Sequence, residues 1–154
     1  MNNVLKIWTF LQHTPVGKWT FSKLISVKAP YFKSISAIFE QLEPHYCKIK
    51  LKKQRAVLNH IGTVHAIAMC NMAELAGGAM TEVSIPQHYR WIPKGMTVEY
   101  LKKAETDLVA IATPADHRYT WSANSTYVVK VEVLDASDQL VFRALISMWI
   151  SQRK

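Results

Sequence analysis

Apolar residues recur along this chain with two different periods, and the changes of period divide it into predicted elements. Residues 3–13 and 14–28 show helical spacing, with Thr14 as the expected N-cap and Pro15 as the first residue of the second helix. From residue 31 the period becomes two, which is typical of strands with one buried face. The predicted strands are 31–43 and 45–53, followed after a long helix by 96–101, 107–113, 125–134 and 140–151.

Residues 64–80 form that long helix, and almost every position in it is small or apolar on all sides. Such a pattern predicts a helix that is buried all round. After His65, Asn71 and Glu74 carry its only strongly polar side chains. Burying an ionised carboxylate without a partner costs several kcal/mol or raises its pKa, so Glu74 is the first candidate for chemistry.

Two strands before the helix and four after it, without βαβ alternation, predict an α+β domain. We expect a curved antiparallel sheet to wrap around the central helix, with the segment 91–95 as a turn or loop and the last two strands as a hairpin. Residues 1–30 are interpreted as an N-terminal helical extension packed on the domain, and 31–154 as a single domain.

The chain has 154 residues, 49% hydrophobic content and a net charge of +8, which is enough apolar material for one core and favours anionic partners. The lysines of residues 48–55 are interpreted as a solubilising strand face, because no aromatic residues interleave them, and no nucleic-acid partner is expected. Cys47 and Cys70 are isolated, and no membrane span or signal peptide is visible. A cytoplasmic protein is therefore expected.

Several kinds of site are excluded by the absence of their motifs. His60, His65 and Cys70 are five residues apart, which turns each about 140° from the last on a helix, so no metal site is expected. A nucleophile elbow and a glycine-rich phosphate loop are also missing.

A short polar segment precedes the central helix and contains Asn59, Gly62, Thr63 and His65. The helix start presents free backbone N–H groups and the positive end of the helix dipole, which suit an oxyanion. Glu74 lies nine residues after His65, about 13 Å along the helix axis and on its opposite side. One chain cannot bring both to one substrate, whereas two antiparallel helices could, so the spacing is compatible with a site shared by a homodimer.

The run from Asn59 to His65, with Glu74 nine residues later, resembles the N-x-x-G-[ST]-x-H entry and following carboxylate of hotdog-fold acyl-CoA thioesterases with a PaaI-like motif. The whole chain, including residues 90–96, looks like an uncharacterised branch of that superfamily catalogued as a domain of unknown function. The usual glycine pair after the histidine is replaced by Ala66 and Ile67. The resemblance implies a hotdog fold and a homodimer or dimer of dimers.

The resemblance also implies hydrolysis of an acyl-CoA or acyl-carrier thioester, with no cofactor beyond the coenzyme A of the substrate. Glu74 would act as general base or nucleophile, the Ala66 N–H as oxyanion donor and His65 as a positioning residue, while Asn59 would orient water or substrate. A non-catalytic protein that binds acyl-CoA or fatty acids is the alternative.

The expected substrate-binding residues comprise the loop before the helix, one helix position and a group of basic residues that brackets the next strand: Gly62, Thr63, Asn71, Arg90, Lys94, Lys102 and Lys103. The basic residues are nearly as well explained as solvated strand ends. Asn71 could bond the Glu74 carboxylate, and an interface role is equally compatible with its position.

Overall fold

The computed structural model describes residues 2–153 as three α-helices and six strands. In chain order these are α1 (Asn3–Leu11), α2 (Gly17–Lys28), β1 (Ile38–Glu43), β2 (Tyr46–Leu51), α3 (Ala66–Ser84), β3 (Tyr89–Tyr100), β4 (Leu108–Pro114), β5 (Ser125–Leu134) and β6 (Leu140–Gln152). Short 3-10 helices cover Pro30–Ser34 and Arg55–Val57. None of the helices among residues 2–153 has the length and apolar content that crossing a bilayer requires.

The six strands form one antiparallel sheet in the order β1-β2-β4-β5-β6-β3. The helix α3 contacts every one of these strands, which is possible only because the sheet curves around it. Gly77 lets the helix approach closely, since a Cβ there would lie 3.1 Å from Ile146 Cδ1 and 3.3 Å from Val129 Cγ1. The predicted α+β architecture, with a curved sheet around one central helix, is confirmed.

Strict alternation predicted the later strands well. β5 has the predicted bounds, β6 ends one residue later than predicted, and the two form the predicted hairpin. Their inward side chains, such as Val131 and Ala144, are fully buried, because each second residue of a strand points to the α3 side.

The N-terminal helices pack on the domain through three aromatic rings. Trp8 of α1 and Phe21 of α2 meet edge to face with ring centroids 5.0 Å apart, and Phe21 meets Phe39 of β1 in the same way at 5.1 Å. All three side chains are buried.

The predicted start of α2 is wrong. The helix begins at Gly17, and Thr14 bonds back to the Leu11 carbonyl rather than capping α2. A Cβ at residue 17 would lie 1.6 Å from the Leu11 oxygen, so the connection between the helices closes tightly on that glycine. The first strand also starts later than predicted, because residues 30–34 form a 3-10 helix and β1 begins at Ile38.

The predicted loop at residues 91–95 is also wrong, because these residues belong to β3. This strand pairs with β6 along its length, with a register shift between Pro93 and Gly95. Because β3 is at the edge of the sheet, a proline, which has no N–H to donate, is tolerated at residue 93. A bulge accommodates the register shift between Pro93 and Gly95.

Candidate functional site

The loop before α3 is built around the side chain of Asn59. Its Oδ1 accepts hydrogen bonds from the backbone N–H groups of Ile61 and Thr63, each at 3.1 Å, and its Nδ2 donates to Thr63 Oγ1 at 2.7 Å. Gly62 has φ of +79°, in the left-handed region that glycine adopts without strain. Asn59, Gly62 and Thr63 therefore fix the course of the chain into the helix.

His65 is the N-cap of α3, and its Nδ1 accepts a hydrogen bond from the Ile67 N–H at 3.0 Å. This contact orients the first turn of the helix, while the positioning role of His65 in a reaction stays a prediction. The N–H of Ala66, the first helical residue, has no hydrogen-bond partner among residues 2–153. The helix start thus presents a free donor beside an exposed histidine.

Glu74 is exposed, and no hydrogen bond or ion pair engages it within residues 2–153. The prediction that α3 is buried all round is wrong on this side, since Glu74 and Ile67 lie on an open face while Met72, Ala76 and Met80 are fully buried on the other. The exposed side of the helix also carries apolar residues, such as Ile67. For this reason the sequence predicted burial on every side.

A cavity of about 320 Å³ lies beside Glu74, between α3 and the N-terminal helices. Its lining is mostly apolar and comes from α1, α2, the 3-10 helix, α3 and β3: Val4, Ile25, Lys28, Ala29, Phe32, Glu74, Leu75, Gly78, Ala79, Glu82, Trp91 and Pro93. A volume of this size is at the lower end of the range for small-molecule sites, about 300–1,000 Å³.

Glu82 lies about two helical turns from Glu74 in the lining of this cavity and holds Trp91 and Asn2 in place there. One carboxylate oxygen accepts from Trp91 Nε1 at 2.8 Å, and the other accepts from Asn2 Nδ2 at 2.9 Å. The Trp91 ring also lies over Gly78, where a Cβ would come within 3.0 Å of it. Because Glu74, Gly78 and Glu82 are four residues apart, they follow one face of α3.

Asn71 lies on another side of the helix from this cavity. Its side chain is buried, and its Nδ2 donates to Ser34 Oγ at 2.9 Å. Ser34 Oγ in turn donates to the Tyr31 carbonyl, so the serine can only accept from Asn71. The suggested bond between Asn71 and Glu74 is therefore absent.

Comparison with known proteins identifies the family. The family model described as Domain of unknown function (DUF4442) matches residues 17–150. The chain belongs to this family. A crystal structure of a genomics target is 47% identical to it, with a TM-score of 0.84, and the match covers 97% of this chain and 98% of that one.

More distant structures share the architecture of this DUF4442 protein. One, from Pseudomonas aeruginosa, is described as a protein of unknown function and probable thioesterase; it is 22% identical over 86% of this chain and 93% of that one, with a TM-score of 0.76. A thioesterase from Haemophilus influenzae is 10% identical over 79% and 82% of the two chains, with a TM-score of 0.70. The hotdog fold is thereby confirmed. Among curated proteins, none matches the chain.

The four basic residues named from the sequence do not form one cluster within a chain of the DUF4442 protein. Arg90 and Lys94 lie in the first half of β3, where Lys94 Nζ is 5.1 Å from the Trp149 ring centroid. Lys102 and Lys103 follow the other end of the strand, and Lys102 Nζ donates to Gln139 Oε1 at 2.7 Å. From Arg90 to Tyr100 the strand advances ten positions, or roughly 33 Å. Arg90 is therefore far from the two lysines that follow Tyr100.

Sequence reasoning missed the contribution of the N-terminal helices and Trp91 to the cavity beside Glu74. Glu74, Gly78 and Glu82 are four residues apart in the sequence. This spacing could have indicated that one face of α3 carries two carboxylates with a glycine between them. The residues that cover this stripe come from distant parts of the chain and gave no local signal.

The remaining candidate chemistry in the DUF4442 protein is sparse. Within residues 2–153, His, Cys, Asp and Glu side chains do not gather in groups of three or more that could hold a metal ion. Both cysteines are free, and burial raises the pKa of the Cys47 thiol. Cys70 Sγ lies 3.2 Å from the Tyr100 hydroxyl, and this hydrogen bond, with partial loss of hydration, raises the pKa of Tyr100 to about 12.

Proposed function

We propose that this DUF4442 protein hydrolyses the thioester of an acyl-CoA or acyl-carrier substrate, with Glu74 as general base or nucleophile. The observation that carries the proposal is the position of Glu74, an exposed carboxylate that lies at the edge of an apolar cavity and has no ion pair or hydrogen bond to the described residues, 2–153. A carboxylate that accepts a proton or attacks a carbonyl has to reach both water and substrate. Glu74 meets this requirement.

The cavity supports an acyl group as the part of the substrate nearest to Glu74. Its volume of about 320 Å³ lies in the range of small-molecule sites. The apolar lining by Ile25, Phe32 and Leu75 favours such a chain by the hydrophobic effect. We therefore expect an apolar acyl group to be preferred over a polar one.

The start of α3 supplies the proposed oxyanion site through the free N–H of Ala66. Within one chain this donor is separated from Glu74 by about 12 Å of helix axis, at about 1.5 Å per residue. We infer that the partner subunit of a homodimer, or of a dimer of dimers, places its own helix start opposite Glu74. Asn59 would then act through the loop that it holds together.

The edge strand β3 supports such a dimer. It has a sheet neighbour on one side only, and its exposed side chains include Ile92, Met96 and Tyr100. An open edge with apolar side chains is a ready surface for pairing with a second strand. Two β3 strands related by a twofold axis would extend the sheet and bring the α3 helices side by side.

Arg90, Lys94, Lys102 and Lys103 are proposed to attract the phosphates of coenzyme A. All four are exposed, and they lie toward the two ends of β3. Antiparallel pairing of two β3 strands would place the end of one strand near the start of the other, so basic residues from both subunits would meet at each site.

A non-catalytic protein that binds acyl-CoA or fatty acids is the second candidate. Ile67 favours this binding function, because the residue is 55% exposed at the helix start. The hotdog-fold thioesterases that the motif resembles usually carry a glycine there. A bulky residue there would hinder the thioester carbonyl from reaching the Ala66 N–H.

One assay separates the two functions. A panel of acyl-CoAs of increasing chain length is incubated with wild type, Glu74→Gln and the control Glu105→Gln, and released thiol is measured. We expect Glu74→Gln to lower turnover by about 10²–10⁴-fold, and Glu105→Gln, which removes an exposed charge elsewhere, to leave it unchanged. Binding without turnover in the wild type would support the binding protein, and full turnover in folded Glu74→Gln would refute the role of Glu74.

A further inference from the structure

The outer face of α2 carries large apolar side chains around one lysine, where a helix on a water-facing surface is usually polar. Trp19 is 57% exposed, Val27 is 77% exposed, and Val16, the N-cap, is exposed as well. At about 100° per residue, Val16, Trp19, Lys23 and Val27 fall within one stripe about 80° wide. Ile25, which lines the cavity beside Glu74, points to the opposite side.

The neighbouring segments carry the same kind of surface. Ile7 and Phe10 of α1 and Tyr31 after α2 are exposed, Phe10 by 78%. Half of the exposed large hydrophobic side chains described for residues 2–153 lie between residues 7 and 31. The packing of Trp8 and Phe21 explains the inner faces of these helices, but nothing among residues 2–153 covers the outer ones.

The charge of this region has one sign. Residues 2–39 contain five lysines and no Asp or Glu, and the first acidic residue is Glu40. Lys18 pairs with Glu40 at 3.1 Å, while Lys23 lies over the Trp19 ring with Nζ 5.6 Å from its centroid. Long lysine side chains beside aromatic rings suit the boundary between apolar and aqueous phases.

We propose that α1, α2 and the turn after them, residues 3–31, dock on a membrane surface that contains anionic lipid. The apolar stripe would enter the boundary between headgroups and acyl chains, and the lysines would contact lipid phosphates. Nucleic acid would engage the lysines but leave the stripe in water. A second copy of the chain, joined through the same face, would set lysines against lysines, so an anionic lipid surface fits both features best.

A membrane on the outer side would also account for the apolar side chains on both faces of α2. Its inner face lines the cavity through Ile25, and Ala29 lines it just after the helix, so a membrane on the outer face would lie one helix diameter away, about 10 Å.

Cosedimentation with lipid vesicles tests the proposal. The intact protein is mixed with vesicles of phosphatidylcholine alone, or of equal parts phosphatidylcholine and phosphatidylglycerol, at low and high salt. We expect binding to the mixed vesicles, weaker binding as salt screens the charges, and little binding to phosphatidylcholine alone. No sedimentation with the mixed vesicles at low salt would overturn the proposal.

Variants test the face itself. The triple variant Val16→Ser, Trp19→Ser, Val27→Ser should lower the partition coefficient at least about tenfold, whereas Ile61→Ser, an equally exposed apolar residue outside the helices, should not change it. Circular dichroism and light scattering are recorded for each variant. A folded triple variant that binds vesicles like wild type would contradict the proposal, and so would one that changes only the oligomeric state, since the face would then join copies of the chain.

Discussion

Replacing Ala66 with proline should delete the proposed oxyanion donor while preserving the helix. Ala66 is the first residue of α3 and its N–H has no partner within residues 2–153, and proline is well tolerated at that position. The preceding residue, His65, has φ of −63° and ψ of 139°, the region that a residue before proline adopts. The cap between His65 and the Ile67 N–H is unaffected.

The expected effect follows from the loss of one donor. Removing a single oxyanion hydrogen bond lowers kcat by about 10²–10³-fold, or about 3–4 kcal/mol. The free energy of unfolding should change by less than about 1 kcal/mol. Release of thiol from acyl-CoA gives kcat, and urea denaturation gives stability. Ala66→Gly is the control, because it changes the side chain and retains the N–H; an unchanged kcat in folded Ala66→Pro would refute the assignment.

Mixed dimers extend this test to the shared site. In a dimer of one Ala66→Pro subunit and one Glu74→Gln subunit, a shared arrangement leaves one intact site, made from the unchanged Glu74 of the first and the unchanged Ala66 of the second. Random reassociation of equal amounts makes half of the dimers mixed, so about a quarter of wild-type activity should return. If the reassociated mixture shows only the average of the low activities of the two separate variants, each site is formed by a single chain.

Three further changes have expected outcomes. Phe21→Ala should lower the free energy of unfolding by about 3–5 kcal/mol in urea denaturation, because the buried ring joins both N-terminal helices to the sheet; a loss below 1 kcal/mol would contradict that packing. Gly77→Val should cost about 1–3 kcal/mol by the same measurement, since the Cβ position already meets Ile146 and Val129, and a neutral result would mean that α3 can shift. Charge reversal at Lys102 and Lys103 should raise KM for an acyl-CoA, as should salt, with little change in kcat; a KM indifferent to both would place the coenzyme elsewhere.

The sequence predicted the sheet and central helix because their signals are local. Alternation in β5 and β6 reflects burial of every second residue against α3, and both strands were placed to within a residue. The segment 91–95 was misread for a local reason as well. A proline and a glycine close together usually indicate a turn, but an edge strand accommodates both through a bulge.

The candidate site was only partly predictable. The Asn59 to His65 loop and Glu74 carry short-range spacing, so they could be named from the sequence. The cavity beside Glu74 depends on contacts such as that of Asn2 with Glu82, eighty positions apart. No periodicity connects residues at that separation, so the cavity could not be predicted. The exposed side of α3 was mistaken for a buried one because it also carries apolar residues, such as Ile67.

The position of β3 in the sheet also has a consequence for folding kinetics. The strands β4, β5 and β6 follow one another as neighbours and can assemble from nearby contacts, whereas β3 pairs only with β6, after two other strands have intervened. Its pairing has to close a long loop, and such contacts form slowly. During synthesis β3 therefore leaves the ribosome well before its partner strand, and its apolar side chains stay open to wrong pairings until β6 arrives.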